Sequence, residues 1–437
     1  MATRQQIDYD ALIQRDRVHG RLYSDPDVFE DELERIFHRG WVYVGHANEI
    51  PNPGDFRLAQ IGRVPVIMVR DEQGTVQVLL NRCRHRAATV CQLTRGNTQR
   101  FRCAYHGWTY KCSGELAAVP YQDAYGGNLP RAELGLTKVP RVDSYRGFVF
   151  GSLSPAGITL EDHLGRARAQ IDNFVELSPE GEIDVRAGIT KYRFPANWKL
   201  QVENGMDGYH PNFTHQTFLD MLERDNDGQR LGLFDGDAAS QTRDLGGGHV
   251  MLDYREYNRR RNLRVLATLS HEREYHEAME RRYGKERAAE LLTLGGTHVL
   301  IFPNLIIIGI HMRVITPVRV DETEVSLYPT TLKGVPQEVN RTRLRGHEAF
   351  FGPGGFGQPD DLEMFARIQR GLNADFDPWL YIARGLHRER LDSDGTIVGQ
   401  MTDEVTLRGI WAHYRKLMSP QGSGAATRRG ARRSAQA

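Results

Sequence analysis

Two short segments of the sequence combine cysteine and histidine in a spacing that suits an iron-sulfur cluster. The first contains Cys83 and His85, and the second, after seventeen intervening residues, contains Cys103 and His106. A Rieske 2Fe-2S cluster has this mixed ligand set, because two thiolates hold one iron and two neutral imidazoles hold the other. Zinc sites with two cysteines and two histidines usually place cysteine near cysteine and histidine near histidine. The interleaved order therefore favours a Rieske cluster over zinc.

The remaining cysteines, Cys91 and Cys112, bear on the type of Rieske protein and on its compartment. High-potential Rieske proteins of respiratory chains carry a second cysteine pair inside the ligand loops, but Cys91 and Cys112 each lie six residues beyond a ligand histidine. They are expected to be core or loop thiols. Four cysteines with two taken by the cluster leave no disulfide framework, and the opening MATRQQIDYD has no signal-like apolar stretch, so the predicted location is cytoplasmic.

Composition is typical of a large globular enzyme. The 437 residues include 57 basic and 56 acidic side chains, and 40% of all residues are hydrophobic. Such a chain can bury a sizeable core and is expected to form two or more domains. The balanced charge gives no field for nucleic acid, and no window of 18 apolar residues is present, so neither nucleic acid nor a membrane is an expected partner.

A second candidate metal site lies far downstream of the cluster segments. Non-heme iron that activates O2 is commonly held by two histidines and one carboxylate on one face of the metal. His210 and His215 are the candidate pair, although side chains five residues apart on an ideal helix diverge by about 140°. Pro211 is expected to push His210 out of helical geometry and so to allow a shared metal. Asn204, Asp207 and His210 recur at a spacing that can share one helix face.

Two other patterns are expected to be decoys. His271 and His276 share the five-residue separation but lie in a continuous helical pattern, where their side chains should point apart. Residues 352–357 read as GxGxxG, but they follow a helix-like segment rather than a strand and are expected to form a turn. No other dinucleotide signature is present, so the electrons are expected to come from another protein.

The rest of the sequence predicts an α+β protein. A helix is predicted to begin with Asp25 as its N-cap and Pro26 at its first position, and to end at Gly40. From Trp41 onward, short β-rich runs separated by turns predict an antiparallel β domain that carries the cluster, followed by an α+β domain with its own strands. The expected divisions are an N-terminal helical segment (1–40) that packs on the catalytic domain, a Rieske domain (41–155), a catalytic domain (156–418) and a disordered tail (419–437).

Taken together, these features resemble the large (α) subunit of the Rieske non-heme iron aromatic-ring-hydroxylating oxygenases. The resemblance rests on Cys83-x-His85, Cys103-x-x-His106 and the downstream Asn204, Asp207, His210 and His215, and it covers nearly the whole chain, as far as LRGIWAHYRKLM. It implies an antiparallel β Rieske domain and a helix-grip-like α+β catalytic domain with an antiparallel sheet. The compact ENGMDGYH resembles the benzoate and anthranilate branch more than the naphthalene branch.

The resemblance also implies a third iron ligand, an aspartate that follows a Gly-Pro-x-Gly turn. The corresponding stretch contains Asp360 and Asp361. The second acid matches the family position better, so Asp361 is the expected ligand and Asp360 the reserve. Asp360 is expected to be the N-cap of the following helix.

In the family, the acid at the position of Asp207 links the cluster of one subunit to the iron site of the next. The implied path runs from the cluster through His106 to Asp207 and then to His210. A carboxylate suits this position because it accepts the N–H of a ligating imidazole and fixes its orientation. The family accordingly implies an α3 trimer, commonly with three small β subunits, and Asn204 is expected to supply hydrogen-bonding support.

The implied function is that of a terminal oxygenase α subunit with a 2Fe-2S cluster and Fe(II). It would take electrons from a ferredoxin, a flavin reductase fed by NADH, or both, and would use O2 to hydroxylate an aromatic substrate, in this family usually by cis-dihydroxylation. An aromatic carboxylate is the preferred substrate class. A Rieske monooxygenase or O-demethylase, a Rieske electron carrier and a zinc-stabilised binding protein remain alternatives at this point.

Overall fold

The computed structural model of the chain describes residues 6–225, 240–255, 272–293 and 297–419. The α-helices of this part are α1 (Tyr9–Leu12), α2 (Arg21–Ser24), α3 (Pro26–Glu32), α4 (Leu160–Leu164), α5 (Arg168–Val175), α6 (Trp198–Gly205), α7 (Pro211–Thr214), α8 (Gln216–Asp225), α9 (Glu272–Tyr283), α10 (Lys285–Leu292), α11 (Gln337–Phe351), α12 (Gln358–Gly371) and α13 (Val405–Met418).

The strands fall into two groups along the chain. The first group comprises β1 (Arg17–His19), β2 (Val42–His46), β3 (Asp55–Ile61), β4 (Val64–Arg70), β5 (Val76–Leu80), β6 (Arg95–Asn97), β7 (Arg100–Arg102), β8 (Thr109–Lys111), β9 (Leu116–Ala118), β10 (Arg141–Tyr145) and β11 (Phe148–Ser152). The second comprises β12 (Ile183–Asp184), β13 (Thr190–Phe194), β14 (Gln241–Gly246), β15 (His249–Asp253), β16 (Thr297–Ile301), β17 (Leu305–Ile308), β18 (His311–Arg319), β19 (Glu322–Pro329), β20 (Thr331–Leu332), β21 (Trp379–Tyr381), β22 (Arg390–Leu391) and β23 (Ile397–Gln400).

Three small sheets position the cysteine and histidine loops. Their strand orders are β5-β4-β3-β6, β7-β8-β9 and β10-β11-β2, and every pair in them is antiparallel. A hydrophobic cluster that includes Ile67, Val69 and Phe101 lies between the first two sheets and also contains Cys83 and Cys103. The loops that carry the ligand residues are therefore attached to a packed core on the cysteine side.

One large antiparallel sheet dominates the second half of the chain. Its nine strands follow the order β13-β19-β18-β17-β16-β15-β14-β23-β22. Successive side chains of its central strands point to opposite faces of the sheet and pack in different cores. Leu300 and Ile306 belong to one hydrophobic cluster, and Val299 and Ile307 belong to another. The sheet is thus buried on both faces. The predicted α+β class with antiparallel sheets is confirmed.

The N-terminal segment contacts the large sheet's helices through buried polar groups. Glu32 of α3 forms a buried ion pair with Lys199 of α6, and the hydroxyl of Tyr23 donates to Glu203 at 2.7 Å. Strand β1 also pairs with β21. The domain boundaries at residues 40, 155 and 418 remain predictions.

Local structure departs from the sequence prediction at several elements. Asp25 does cap α3, accepting a hydrogen bond from the backbone N–H of Asp27 at 2.7 Å, but the regular helix ends at Glu32 and continues as a π-helical turn over Leu33–Phe37. The α+β part of the chain that was predicted to follow the β domain begins with two helices, α4 and α5. Residues 420–437 of the expected tail lie outside the described ranges.

Among the described residues, no helix combines the length and the apolar character needed to cross a bilayer.

Candidate metal centres

The two cysteine and histidine loops meet at one edge of the small sheets. Each loop is a tight turn: the backbone N–H of Ala87 donates to the carbonyl of Cys83 at 3.0 Å, and that of Gly107 donates to the carbonyl of Cys103 at 2.9 Å. Both cysteines are 2% exposed. The turns therefore point the thiols inward from a rigid backbone.

The histidines of these loops lie on the outer side. Nδ1 of His85 is 3.1 Å from Nδ1 of His106, and the ring of His85 stacks on Trp108 with 5.1 Å between centroids. Burial and then the neighbouring His106 lower the pKa of His85, which favours the neutral imidazole that a metal requires. Two inner thiols and two converging outer nitrogens fit the donor set of a Rieske cluster.

Tyr110 contacts the cysteine side of this site. Its hydroxyl oxygen is 3.1 Å from Sγ of Cys83, and the backbone N–H of Arg84 donates to the same oxygen at 3.1 Å. Burial, the hydrogen bond with Cys83 and a smaller effect of Cys103 raise the pKa of Tyr110, so both thiols lie near one phenol. Tyr110 was not predicted from the sequence, in which no feature except its closeness to His106 points to a role at this site.

The second site is assembled from α6, α7 and the first turn of α12. Three possible ligand atoms lie within 4.8 Å of one another, one from each of His210, His215 and Asp361. Oδ1 of Asp361 is 3.6 Å from Nε2 of His210 and 3.4 Å from Nε2 of His215. In the part of the chain that the structure describes, no other three of these ligand types bring one atom each within the same 4.8 Å. The structure thus brings together the two predicted histidines and the expected aspartate.

The chemistry of this donor set suits ferrous iron. Asp361 is 3% exposed and His215 is 2% exposed, and the ion-pair contacts of Asp361 with described residues go to the two imidazoles. A buried carboxylate without a permanent cation is unfavourable, whereas two histidines and a carboxylate satisfy a non-heme iron. Burial, the largest influence, lowers the pKa of His215 and favours its neutral form.

Two polar side chains orient His210 and Asp361. Nδ2 of Asn204 lies 3.1 Å from Nε2 of His210 and donates to Oδ1 of Asp361 at 3.0 Å. Oδ2 of Asp207 is 3.1 Å from Nδ1 of His210, and its other oxygen accepts from the backbone N–H of Tyr209 at 2.6 Å. Burial alone would lower the pKa of His210, but the hydrogen bond with Asp207 and the charge of Asp361 outweigh it and raise that pKa.

The backbone reaches this arrangement by a different route from the predicted one. Helix α6 ends at Gly205, so Asn204, Asp207 and His210 do not share one helix face; they meet because residues 206–209 turn the chain back. His210 itself keeps right-handed helical angles (φ −64°, ψ −32°) as the cap of α7, so the prediction that Pro211 displaces it was wrong. The distortion comes on either side of α7 instead.

The predicted cap at Asp360 was also wrong. Helix α12 begins after Gly357, and Asp360 lies inside its first turn. There Oδ2 of Asp360 is 3.6 Å from Nδ1 of His215. Both acids therefore face His215, Asp361 toward Nε2 and Asp360 toward Nδ1.

The two other cysteines and the two patterns that were not expected to form sites have these positions in the structure. Cys91 and Cys112 are buried free thiols, as expected. Residues 352–357 form the connection between α11 and α12, which confirms the turn. His276 lies on α9, while His271 lies outside the described residues.

Two family models match this chain. Residues 40–145 match the family model described as the Rieske 2Fe-2S domain, and residues 184–419 match that of the ring hydroxylating alpha subunit (catalytic domain). The chain belongs to the ring-hydroxylating alpha subunits. This ring-hydroxylating alpha subunit is 32% identical to the large subunit of 2-halobenzoate 1,2-dioxygenase from Burkholderia cepacia, with 92% of each chain covered.

Further relatives agree with this assignment. The alpha subunit is 34% identical to the large subunit of anthranilate 1,2-dioxygenase from Acinetobacter baylyi, over 85% of this chain and 81% of the relative. Among solved structures, naphthalene 1,2-dioxygenase with indole bound superposes with a TM-score of 0.81 and 26% identity, over 94% of this chain and 95% of the other. The predicted dioxygenase class and its two cofactors, the 2Fe-2S cluster and Fe(II), are confirmed, whereas the electron-carrier and zinc alternatives are not supported.

Proposed function

We propose that this alpha subunit adds both atoms of O2 to the ring of an aromatic carboxylate. The observation that carries the proposal is the convergence of His210, His215 and Asp361 within 4.8 Å. The substrate class is supported by the relatives, whose names include 2-halobenzoate, anthranilate and toluate 1,2-dioxygenases.

The proposed iron ligands are His210, His215 and Asp361, and the proposed cluster ligands are Cys83, His85, Cys103 and His106. When bound, the cluster supplies electrons one at a time and the iron activates O2 at positions that the three protein ligands leave open. The thiols are fixed by tight turns and the nitrogens converge on one another. The protein thus fixes the positions of the ligand atoms and the protonation states of the histidines.

Asp207 and Asn204 prepare His210 for its role. Because Nδ1 of His210 faces the carboxylate of Asp207, the ring proton is held there and the lone pair of Nε2 is directed toward Asp361. Asn204 donates to Asp361 and keeps its carboxylate in place between the two histidines. These contacts hold the ligands in position before any metal arrives.

Electron delivery is proposed to pass between subunits of an α3 trimer, with or without small β subunits. His106 is exposed, and the side chain of Asp207 is 26% exposed, so a neighbouring chain can reach each of them. Tyr105, which contacts His106, and Tyr209, whose backbone N–H donates to Asp207, are also exposed. A ferredoxin, a flavin reductase or both are the proposed donors, and the four free cysteines support a reducing, cytoplasmic location.

Isotope incorporation tests the proposal. The purified protein, loaded with iron and supplied with reductant and redox partners, would be given 18O2 and a panel of aromatic acids and neutral arenes. Two labelled atoms on adjacent carbons of an acid are expected. One labelled atom would instead favour a monooxygenase or demethylase. Parallel analysis of three irons and two sulfides per chain would ensure that a negative result reflects the substrate and not the loading.

A further inference from the structure

A buried arginine of the large sheet has no polar partner among the described residues. Arg313 of β18 is 2% exposed, and its neighbours in the sheet are Ile306 and Leu327. Its guanidinium forms no hydrogen bond or ion pair with any described residue, and Nε is buried without a partner. A buried charge is strongly unfavourable unless an anion pairs with it. The position therefore calls for an anionic partner.

The sheet places Arg313 close to α6, the helix that carries Asn204. Its neighbour Ile306 packs directly against the end of α6, because a Cβ added to Gly205 would lie 2.6 Å from Cδ1 of Ile306. Gly205 is adjacent to Asn204, which contacts His210. Arg313 and the iron site thus lie on the same face of the sheet.

A chain of aromatic contacts connects the same two places. The guanidinium carbon of Arg313 is 5.4 Å from the centroid of Phe351, and the rings of Phe351 and Phe350 are 4.6 Å apart. The ring of Phe350 is in turn 5.0 Å from that of His215. Two phenyl rings are therefore packed in sequence between the guanidinium of Arg313 and the ring of His215, and such rings can stack with a flat aromatic molecule.

Two buried histidines complete the surroundings of Arg313. The rings of His311 and His347 are 5.0 Å apart, and both lie against Phe351. Their four nitrogens have no hydrogen-bond partner in the described parts of the chain. Burial and then the charge of Arg313 lower the pKa of His347 to about 4. At neutral pH the group offers one permanent cation and two neutral rings that can donate hydrogen bonds.

We infer that Arg313 binds the carboxylate of the aromatic substrate, while Phe350 and Phe351 flank the path of the ring toward the iron ligands. A guanidinium can bind a carboxylate through two parallel hydrogen bonds, which fixes orientation as well as charge. Arg313 is therefore the residue that selects an acid over a neutral arene. This inference rests on the proposed function and deepens it.

Binding and turnover by matched variants test the inference. Anaerobic calorimetry on the iron-loaded protein would compare benzoate with neutral benzamide in wild type, Arg313→Gln, Arg313→Lys and the control Arg319→Gln, an exposed arginine on the same strand. Arg313→Gln should weaken benzoate binding by about 100-fold and benzamide binding by less than about threefold. Arg313→Lys keeps the positive charge but lacks the planar guanidinium, so this variant should bind benzoate about tenfold more weakly than wild type. Arg319→Gln should match wild type.

Thermal unfolding separates a binding role from a structural one. Without acid, Arg313→Gln should be at least as stable as wild type, since it removes an unpaired buried charge. Benzoate should raise the Tm of wild type but not of this variant. A lower Tm of Arg313→Gln combined with unchanged benzoate binding would overturn the inference. If Arg313→Gln does not fold, Arg313→Lys decides: wild-type affinity of that variant for both benzoate and benzamide would also overturn the inference.

The failure of the inference can be told from the failure of the proposed function. If wild type oxidises aromatic acids and Arg313→Gln does so with unchanged KM, only the role of Arg313 is lost. If wild type binds and oxidises neutral arenes but no aromatic acid, the carboxylate substrate class and the role of Arg313 are both wrong.

Discussion

Oδ2 of Asp207 lies 3.1 Å from Nδ1 of His210. The opposite nitrogen of the same ring faces Asp361, so one imidazole connects a partly exposed carboxylate with a buried one. This geometry fixes the tautomer of His210 and gives Asp207 access to both solvent and the iron site.

The first prediction concerns Asp207. Asp207→Ala should keep three irons and two sulfides per chain but lose at least about 100-fold in coupled turnover, the upper range for loss of a group that orients a metal ligand. Metal analysis and product formation measure the two effects. Asp321→Ala, at an exposed turn, should leave both unchanged. Full activity of Asp207→Ala would refute the linking role.

The cluster loops were predictable because the relevant information is local. Cys83 and His85 form one proposed half-site and Cys103 and His106 the other, and the identity and spacing of the side chains alone predict this donor set. The same holds in part for His210 and His215. Asp361 lies far along the chain, and only the family resemblance identified it.

Other parts of the site depend on tertiary packing, which cannot be deduced from the spacing of residues along the sequence. The chain turns back at residues 206–209 because Met206 is buried in the core and α6 ends there, and this packing overrides the local preference of the residue before Pro211. Arg313 is one of 57 basic residues in the sequence. Its burial follows from the position of β18 inside a nine-stranded sheet, which no local pattern specifies.

The second prediction concerns the buried pair that anchors the N-terminal segment. Glu32 accepts hydrogen bonds from Lys199, Trp198 and Tyr414. Glu32→Ala would leave the ammonium of Lys199 buried without a counter-charge and should lower the free energy of unfolding by about 3–5 kcal/mol. Urea unfolding followed by tryptophan fluorescence measures the change. The exposed Glu34, paired with Arg39, is the matched control, and Glu34→Ala should cost less than about 1 kcal/mol.

The third prediction concerns the pH dependence of stability at Glu203. Burial raises the pKa of Glu203 from 4.5 to about 7, although Tyr23 and Trp411 both donate hydrogen bonds to it. Between these two values the folded protein binds more protons than the unfolded chain, so the Glu203 contribution to stability falls as pH rises. Wild type should therefore lose more Tm between pH 5 and about 7.5 than Glu203→Gln does. Equal slopes for the two proteins would contradict the assignment of this carboxyl.

The last prediction concerns the potential of the cluster. The backbone N–H of Arg84 donates to the Tyr110 hydroxyl, whose oxygen is 3.1 Å from Sγ of Cys83. Because a thiolate bound to iron has no proton to donate, the phenolic hydrogen would be the donor when the cluster is bound. A donor to a ligand sulfur stabilises the more negative, reduced cluster, and hydrogen bonds to the sulfurs are among the features that set its potential. A bond worth about 0.5–1.5 kcal/mol corresponds to about 20–60 mV for one electron. Redox titration of Tyr110→Phe should show a fall of that size.

The control for this measurement is Tyr121→Phe, which removes a hydroxyl from a tyrosine that is 91% exposed. Its potential should equal that of wild type. If Tyr110→Phe also keeps the wild-type potential while its cluster content is unchanged, the phenol does not donate to the cluster sulfur, and its burial serves packing alone. A lowered cluster potential should in turn slow electron transfer from a donor protein of fixed potential, because the driving force of that transfer falls as the reduction potential of the cluster falls.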